Sequence, residues 1–120
     1  MQEKIDQLHQ RRASLAAAGG EQRVAKQHEQ GKLTARERIE ELLDEHSFQE
    51  SAVYAVHRAN RFGMSDKDVP SDGVVVGQGT VLGRLVHVAS QDFTILGGTI
   101  GELHADKIAQ AANMALRTGS

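Results

Sequence analysis

Apolar residues are sparse over the first 43 positions, and they recur at helical spacing. Ile5, Leu8, Arg12 and Leu15 would share one face of a helix over residues 2–18, where the three apolar side chains form a narrow stripe on a charged rod. So narrow a stripe is typical of an arm that lies on another surface. The pattern therefore predicts an amphipathic N-terminal helical arm.

Glycines divide the rest of this segment into two shorter helices. Gly19–Gly20 precedes an almost entirely polar piece, residues 21–30, and Gly31 ends it. Thr34 and Glu37 have the spacing of a capping box, which predicts the start of a third helix. Its predicted buried face consists of Ile39, Leu42 and Leu43.

The pattern changes to alternation between positions 51 and 89. A short strand is predicted at 52–56, followed by a polar loop over 61–73 that contains the single proline. Residues 74–81 and 84–89 then flank Leu82–Gly83, which predicts a β-hairpin with a tight glycine turn.

A long helix is predicted over residues 99–117, where Thr99 and Glu102 have capping-box spacing. Gly97–Gly98 precedes it, so bare N–H groups at the helix start could favour an anion. A simple strand-to-helix connection would need the same flexible residues, and both interpretations stay open. The predicted apolar stripe comprises Ile100, Leu103, Ile108, Ala111, Ala112, Ala115 and Leu116.

Composition excludes several classes of function. The 120 residues carry a formal net charge of −2, so a dominant electrostatic footprint for nucleic acid is absent. No run of residues is apolar for long enough to predict membrane insertion, and the first residues lack an apolar signal core, which predicts the cytoplasm. The absence of cysteine excludes disulfides and thiolate metal sites.

Two electropositive features are candidates for binding. A local basic surface could hold a phosphate or could be a solvated helical face; it consists of Arg23, Lys26, Lys32, Arg36 and Arg38. Lys107 lies within the apolar stripe of the last helix, where it could extend its head to solvent or direct a charge at a ligand or partner. His104 lies at the edge of the same stripe, which predicts a half-buried, hydrogen-bonded histidine.

Three motifs together resemble a known family. The first is residues 31–39, Gly-Lys-Leu-Thr-Ala-Arg-Glu-Arg-Ile; the second is residues 72–80, Asp-Gly-Val-Val-Val-Gly-Gln-Gly-Thr. The third is residues 90–94, Ser-Gln-Asp-Phe-Thr, continued by Gly97–Gly98, Gly101–Glu102 and Lys107. In this order they resemble the carboxyltransferase subunits of biotin-dependent acyl-CoA carboxylases, most closely those that act on propionyl-CoA or methylmalonyl-CoA.

The resemblance implies an α/β (α+β) fold, specifically the N-terminal segment of a crotonase-like fold: a helical arm, a β-hairpin and a long helix. Residues 1–50 would be the helical arm and basic helix. Residues 51–120 would begin an incomplete acyl-CoA-binding domain. In the family, the glycine turns that stabilise the thioester enolate lie in later segments, so no catalytic residue is expected here and the segment alone would be inactive.

The implied reaction moves a carboxyl group between carboxybiotin and an acyl-CoA, with biotin on a separate carrier chain or domain and no metal in this segment. The implied partners are acyl-CoA, the remainder of the carboxyltransferase subunit, a biotin carrier protein and further copies in a homo-oligomer. The implied CoA-binding residues are Lys32, Arg36, Arg38, Phe93, Gly97, Gly98 and Lys107.

Two alternatives remain open from the sequence. One is a non-catalytic assembly or binding module of a carboxyltransferase complex, in which the helical arm carries the interaction. The other is a subunit of a sodium-pumping decarboxylase, because the resemblance implies the same fold for those enzymes.

Overall fold

The computed structural model describes residues 1–54, 70–95, 97 and 101–120. Within these ranges, three α-helices come first, followed by three strands and a long helix at the end. The elements are α1 (Gln2–Ala16), α2 (Glu21–Glu29), α3 (Ala35–Leu42), β1 (Gln49–Ser51), a 3₁₀ turn (Pro70–Gly73), β2 (Val74–Val81), β3 (Arg84–Gln91) and α4 (Glu102–Thr118). The breaks predicted at Gly19–Gly20 and Gly31 are confirmed.

The strands form one antiparallel sheet in the order β1-β2-β3. β2 pairs with β3 from Val74 opposite Gln91 to Val81 opposite Arg84, which confirms the predicted hairpin. Leu82 and Gly83 both have positive φ, 50° and 78°, as a type I′ turn requires. β3 continues two residues beyond the predicted end, to Gln91.

Asp44, just after α3, fixes this turn. Its carboxylate accepts hydrogen bonds from the Thr80 hydroxyl at 2.6 Å and from the backbone N–H groups of Leu82 and Gly83, both at 2.9 Å. These bonds, led by that from Thr80, lower the pKa of Asp44. The carboxylate thereby holds the end of α3 against the hairpin.

The hydrophobic core lies between α3 and the sheet. Its buried members are Ala35, Ile39, Leu43 and Val75, with Phe48, Val81, Val86 and Val88 packed around them. Two glycines of β2 permit this close packing. A Cβ at Gly79 would lie 2.6 Å from Leu43 Cδ1, and a Cβ at Gly77 would overlap the Gln49 carbonyl oxygen.

Two predictions about the first half of the chain are corrected by the structure, and a third concerns residues that lie mostly outside the described ranges. Leu42 is 55% exposed, because the buried face of α3 runs through Ala35 and Ile39. The strand predicted at 52–56 is wrong for its described part: pairing with β2 ends at Ser51, and Ala52 enters a turn with φ 53°. Residues 55–69, which include most of the predicted loop, lie outside the described residues.

The start and the stripe of α4 also differ from prediction. Its N-cap is Gly101, and no side chain in the described part of the chain caps it, so Glu102 is not the third residue of a capping box. Thr99, like Ile100, lies outside the described residues. Leu116 is 83% exposed, whereas the buried side chains of α4 are polar, His104 and Lys107.

No helix within the described ranges has the length and apolar character needed to cross a bilayer.

Replacement of Gly77 by alanine should separate β1 from β2. The new methyl group would clash with the backbone carbonyl of Gln49. That carbonyl belongs to β1 and cannot move away without breaking the pairing of β1 with β2. We expect a loss of about 2 kcal/mol or more in the free energy of unfolding, measured by urea denaturation. Gly83→Asn is the control, since asparagine tolerates positive φ and Gly83 has open space around it. Equal effects of the two substitutions would contradict this account of the packing.

Candidate functional site

An open groove of about 470 Å³ lies where the end of α2, the segment before α3, the first turns of α3 and the corner after β3 meet. We call it the basic groove. It is lined by Gln27, Gln30, Lys32, Leu33, Arg38 and Phe93. Two cations, two amides and an aromatic ring that is 52% exposed thus surround one space.

Lys32 is presented by the tight connection between α2 and α3. Gly31, with φ 71°, donates its N–H to the His28 carbonyl at 2.8 Å, and the Lys32 N–H bonds to the Gln27 carbonyl at 3.1 Å. The Gln27 amide reaches Leu33 O at 3.3 Å, and Lys32 Nζ bonds to Gln30 Oε1 at 3.2 Å. These hydrogen bonds contribute to the order of the connection.

Arg38 reaches the groove from α3, whose start has the predicted capping box. Thr34 Oγ1 accepts the Glu37 N–H at 3.3 Å, and a Glu37 carboxylate oxygen accepts the Thr34 N–H at 2.7 Å, which confirms that prediction. Arg38 Nη2 donates to the Gln91 carbonyl at 2.5 Å. That bond uses one of the five guanidinium N–H groups and ties the head to the end of β3.

The corner after β3 displays Phe93. Asp92 and Thr94 are buried, and Asp92 Oδ1 accepts both the N–H and the hydroxyl of Thr94, at 2.9 and 2.5 Å, in an Asx turn. Thr94 in turn binds the segment between α1 and α2: its Oγ1 accepts the Gly19 N–H at 3.0 Å and its carbonyl accepts Arg23 Nη1 at 3.2 Å. Phe93 consequently points outward from a fixed turn.

The structure brings together three of the seven predicted CoA-binding residues: Lys32, Arg38 and Phe93. Arg36 instead forms a two-pronged ion pair with Glu50 of β1, at 2.6 and 3.0 Å. Gly97 is exposed with φ 63°, and Gly98 lies outside the described residues. Gln27, Gln30 and Leu33 were missed, because their place on the groove depends on the α2–α3 connection and not on a sequence pattern.

Lys107 lies away from this groove in the packing of α4 on β2. Its side chain is 2% exposed, and Nζ donates to the Val74 carbonyl at 2.7 Å, so the interpretation of a head reaching solvent is wrong. Burial lowers the pKa of Lys107 to about 8, although the negative charges of Glu50 and Asp72 oppose that shift. At this buried position of α4 the ammonium group therefore holds the helix to β2 through a hydrogen bond, where an apolar side chain would do so by packing.

His104 lies one turn before Lys107 and is completely buried, more than the half-burial predicted. Its Nδ1 is 2.9 Å from the Asp72 carbonyl oxygen. A carbonyl can only accept, so Nδ1 carries the proton. Together, His104 and Lys107 bind α4 to the backbone where the 3₁₀ turn enters β2. Within residues 1–54, 70–95, 97 and 101–120, no three His, Asp or Glu side chains are grouped to hold a metal ion.

Comparison with known proteins gives a consistent result. Residues 26–120 match the carboxyl transferase domain family. Over all 120 residues the chain is 52% identical to the methylmalonyl-CoA carboxyltransferase 12S subunit of Propionibacterium freudenreichii subsp. shermanii. It is 49% identical to methylmalonyl-CoA decarboxylase subunit alpha of Veillonella parvula and 51% identical to the propionyl-CoA carboxylase beta chain of Cereibacter sphaeroides.

The fold agrees with these relatives. The crystal structure of transcarboxylase 12S, a hexamer with methylmalonyl-CoA and methylmalonic acid bound, is similar with a TM-score of 0.95 at 52% identity; the similarity covers all of this chain and 24% of that one. The chain belongs to the carboxyl transferase domain family and has the opening elements of its crotonase-like fold, as predicted. It spans about a quarter of the length of the relatives it matches.

The buried ammonium of Lys107 should make stability depend on pH in an unusual direction. The folded pKa, about 8, lies below the ordinary value of 10.5, so between these pH values the unfolded chain binds more protons. Stability should therefore rise between pH 8 and 10.5, by about 3 kcal/mol at most. Urea denaturation across this range measures it.

Lys107→Met should abolish that rise, whereas Lys26→Met, at an exposed lysine of α2, should retain it. A wild-type stability that is constant or falls over this range would contradict the buried, charged state of Lys107.

Proposed function

We propose that this chain is the N-terminal part of a carboxyltransferase subunit that moves a carboxyl group between carboxybiotin and an acyl-CoA, and that the basic groove binds the nucleotide end of CoA. The observation that carries the proposal is the meeting of Lys32, Arg38 and Phe93 at one groove. One relative, similar over all 120 residues, is named a methylmalonyl-CoA carboxyltransferase subunit, and this name supports an acyl-CoA as the substrate.

The chemistry of the groove suits an adenosine bisphosphate. Arg38 can offer paired N–H donors to phosphate oxygens, and Lys32 adds a compact charge. Phe93 presents an aromatic face on which adenine can stack, and the amides of Gln27 and Gln30 can bond to the base edges. Binding energy at this remote end of the substrate would orient the acyl group for reaction elsewhere.

The role proposed for this chain is to bind and orient CoA and to support assembly, without a catalytic residue of its own. Biotin on a separate carrier would supply the carboxyl group, and no residue of this chain is assigned to hold it. The difficult species is the thioester enolate, which paired N–H donors in the remainder of the subunit would stabilise. The biotin carrier protein, a homo-oligomeric state and a cytoplasmic location belong to the same proposal.

We also propose that residues 51–120 begin the acyl-CoA-binding domain and that residues 1–50 form the arm and basic helix. The packing qualifies how separate these parts are. Ile39 and Leu43 of the helical part share a core with Val75 of the sheet, and Asp44 binds the hairpin turn. α3 thus belongs structurally with the sheet, whereas α1 is the more peripheral element.

The phosphate contacts can be tested by titration calorimetry with CoA. Lys32→Ala together with Arg38→Ala should weaken binding by about 100-fold, roughly 1.5 kcal/mol for each lost charge-assisted contact. Phe93→Ala should weaken it by about 10-fold through the lost stacking. Lys26→Ala is the matched control, an α2 cation that does not line the groove. Unchanged affinity in the double variant would contradict the proposal.

A second candidate function, an assembly module, is favoured by the exposure of α1. Ile5 and Leu8 are each 40% exposed on one face, and Leu15 alone among the residues of α1 is buried. If this face carries assembly, deletion of residues 1–18 should abolish oligomer or complex formation in size-exclusion chromatography with light scattering. If the chain acts mainly through the groove, the deletion should lower stability while assembly persists.

A further inference from the structure

One histidine outside the basic groove makes a contact between two of the elements that line it. His28 Nε2, on α2, lies 3.0 and 2.9 Å from the two carboxylate oxygens of Glu37, on α3. The contact crosses directly between the two helices that supply the walls of the groove. His28 does not line the groove itself.

Glu37 is a preorganised anchor for this histidine. Its Oε2 also accepts the Thr34 N–H at 2.7 Å, and its own N–H bonds to the Thr34 hydroxyl, so the capping box fixes the carboxylate. The hydrogen bond from His28 is the main cause that lowers the pKa of Glu37, which keeps the carboxylate ionised. A charged acceptor held in place strengthens the contact and defines its direction.

The segment between the two residues carries groove side chains. It contains Lys32 and Leu33, and it is held by bonds from Gly31 N to His28 O and from Lys32 N to Gln27 O. His28 therefore binds both ends of this connection, the start through its carbonyl and the far side through its ring. Gly31 turns the chain here with φ 71°, and a Cβ added at Gly31 would meet nothing within 4 Å.

The contact also engages the carboxylate next to Arg38 in sequence. Glu37 immediately precedes Arg38, and both of its oxygens are within hydrogen-bond distance of His28. A carboxylate held in this way is directed towards His28 of α2.

We propose that His28 is a positioning residue for the basic groove: its bond to Glu37 fixes the 31–34 connection and thereby the placement of Lys32. The ligand-binding consequence rests on the proposed function, whereas the effect on the connection does not. His28 touches no ligand and acts through the chain that it holds.

The test compares His28→Ala and His28→Gln in the full chain, with His9→Ala as the control at an exposed histidine of α1. Amide hydrogen exchange by NMR reports on the N–H groups of residues 31–34 without any ligand. Calorimetry with adenosine 3′,5′-bisphosphate, the nucleotide end of CoA, reports on the groove. Urea denaturation reports on overall stability.

We expect His28→Ala to speed exchange at residues 31–34 by about 10-fold and to weaken nucleotide binding about 5-fold, with the denaturation midpoint nearly unchanged, because the contact is partly exposed. Glutamine keeps one N–H donor to the carboxylate, so His28→Gln should recover most of both properties. His9→Ala should behave as the wild type.

Wild-type exchange rates in His28→Ala would overturn the inference. So would a uniform loss of protection and of midpoint in both variants, because that pattern indicates general destabilisation without positioning. If the wild type binds no nucleotide while exchange responds as expected, the positioning of the connection is supported and the proposed function fails.

Discussion

The placement of α3 against the sheet depends on the hydrogen bonds that the Asp44 carboxylate accepts. They join the end of α3 to the turn of the β2–β3 hairpin, and the backbone N–H of Asp44 adds a 2.7 Å bond to the Thr80 carbonyl. Because α3 is held here, Ile39 enters the core and Arg38 reaches the end of β3. The basic groove therefore inherits its geometry from a carboxylate that does not line it.

Polar contacts to backbone carry much of this architecture, as suits a chain with 3% aromatic residues and a small apolar core. Thr94 binds the α1–α2 junction, His104 binds the 3₁₀ turn, and Lys107 binds the first residue of β2. Directional hydrogen bonds fix the orientation of a helix more closely than apolar contacts do. A buried polar group that lacks a hydrogen-bond partner also costs stability, which disfavours other arrangements. The arrangement specifies where α2, α3 and α4 lie around a sheet of three strands.

Local sequence signals predicted the features whose interacting residues lie within a few positions of each other. The hairpin was predicted from the alternation of apolar and polar residues on both sides of Leu82–Gly83. The start of α3 was predicted from Thr34 and Glu37, which hydrogen-bond to each other. Remote partners could not be predicted: Arg36 bonds 14 residues away to Glu50, and Lys107 bonds 33 residues away to Val74. The capping spacing of Thr99 and Glu102 matched a motif, but the helix begins after Gly101. His28 gave no signal, since its partner Glu37 lies nine residues away on another helix.

The central claim is that Lys32, Arg38 and Phe93 form one binding surface for the nucleotide end of CoA. The most direct measurement is a crystal structure of the full-length carboxyltransferase subunit with CoA bound. The account predicts density for the adenosine bisphosphate in the basic groove, with phosphate oxygens within hydrogen-bond distance of Arg38 and the adenine ring against Phe93. Density for that end of CoA at another surface, with this groove filled by solvent or by protein, would contradict it.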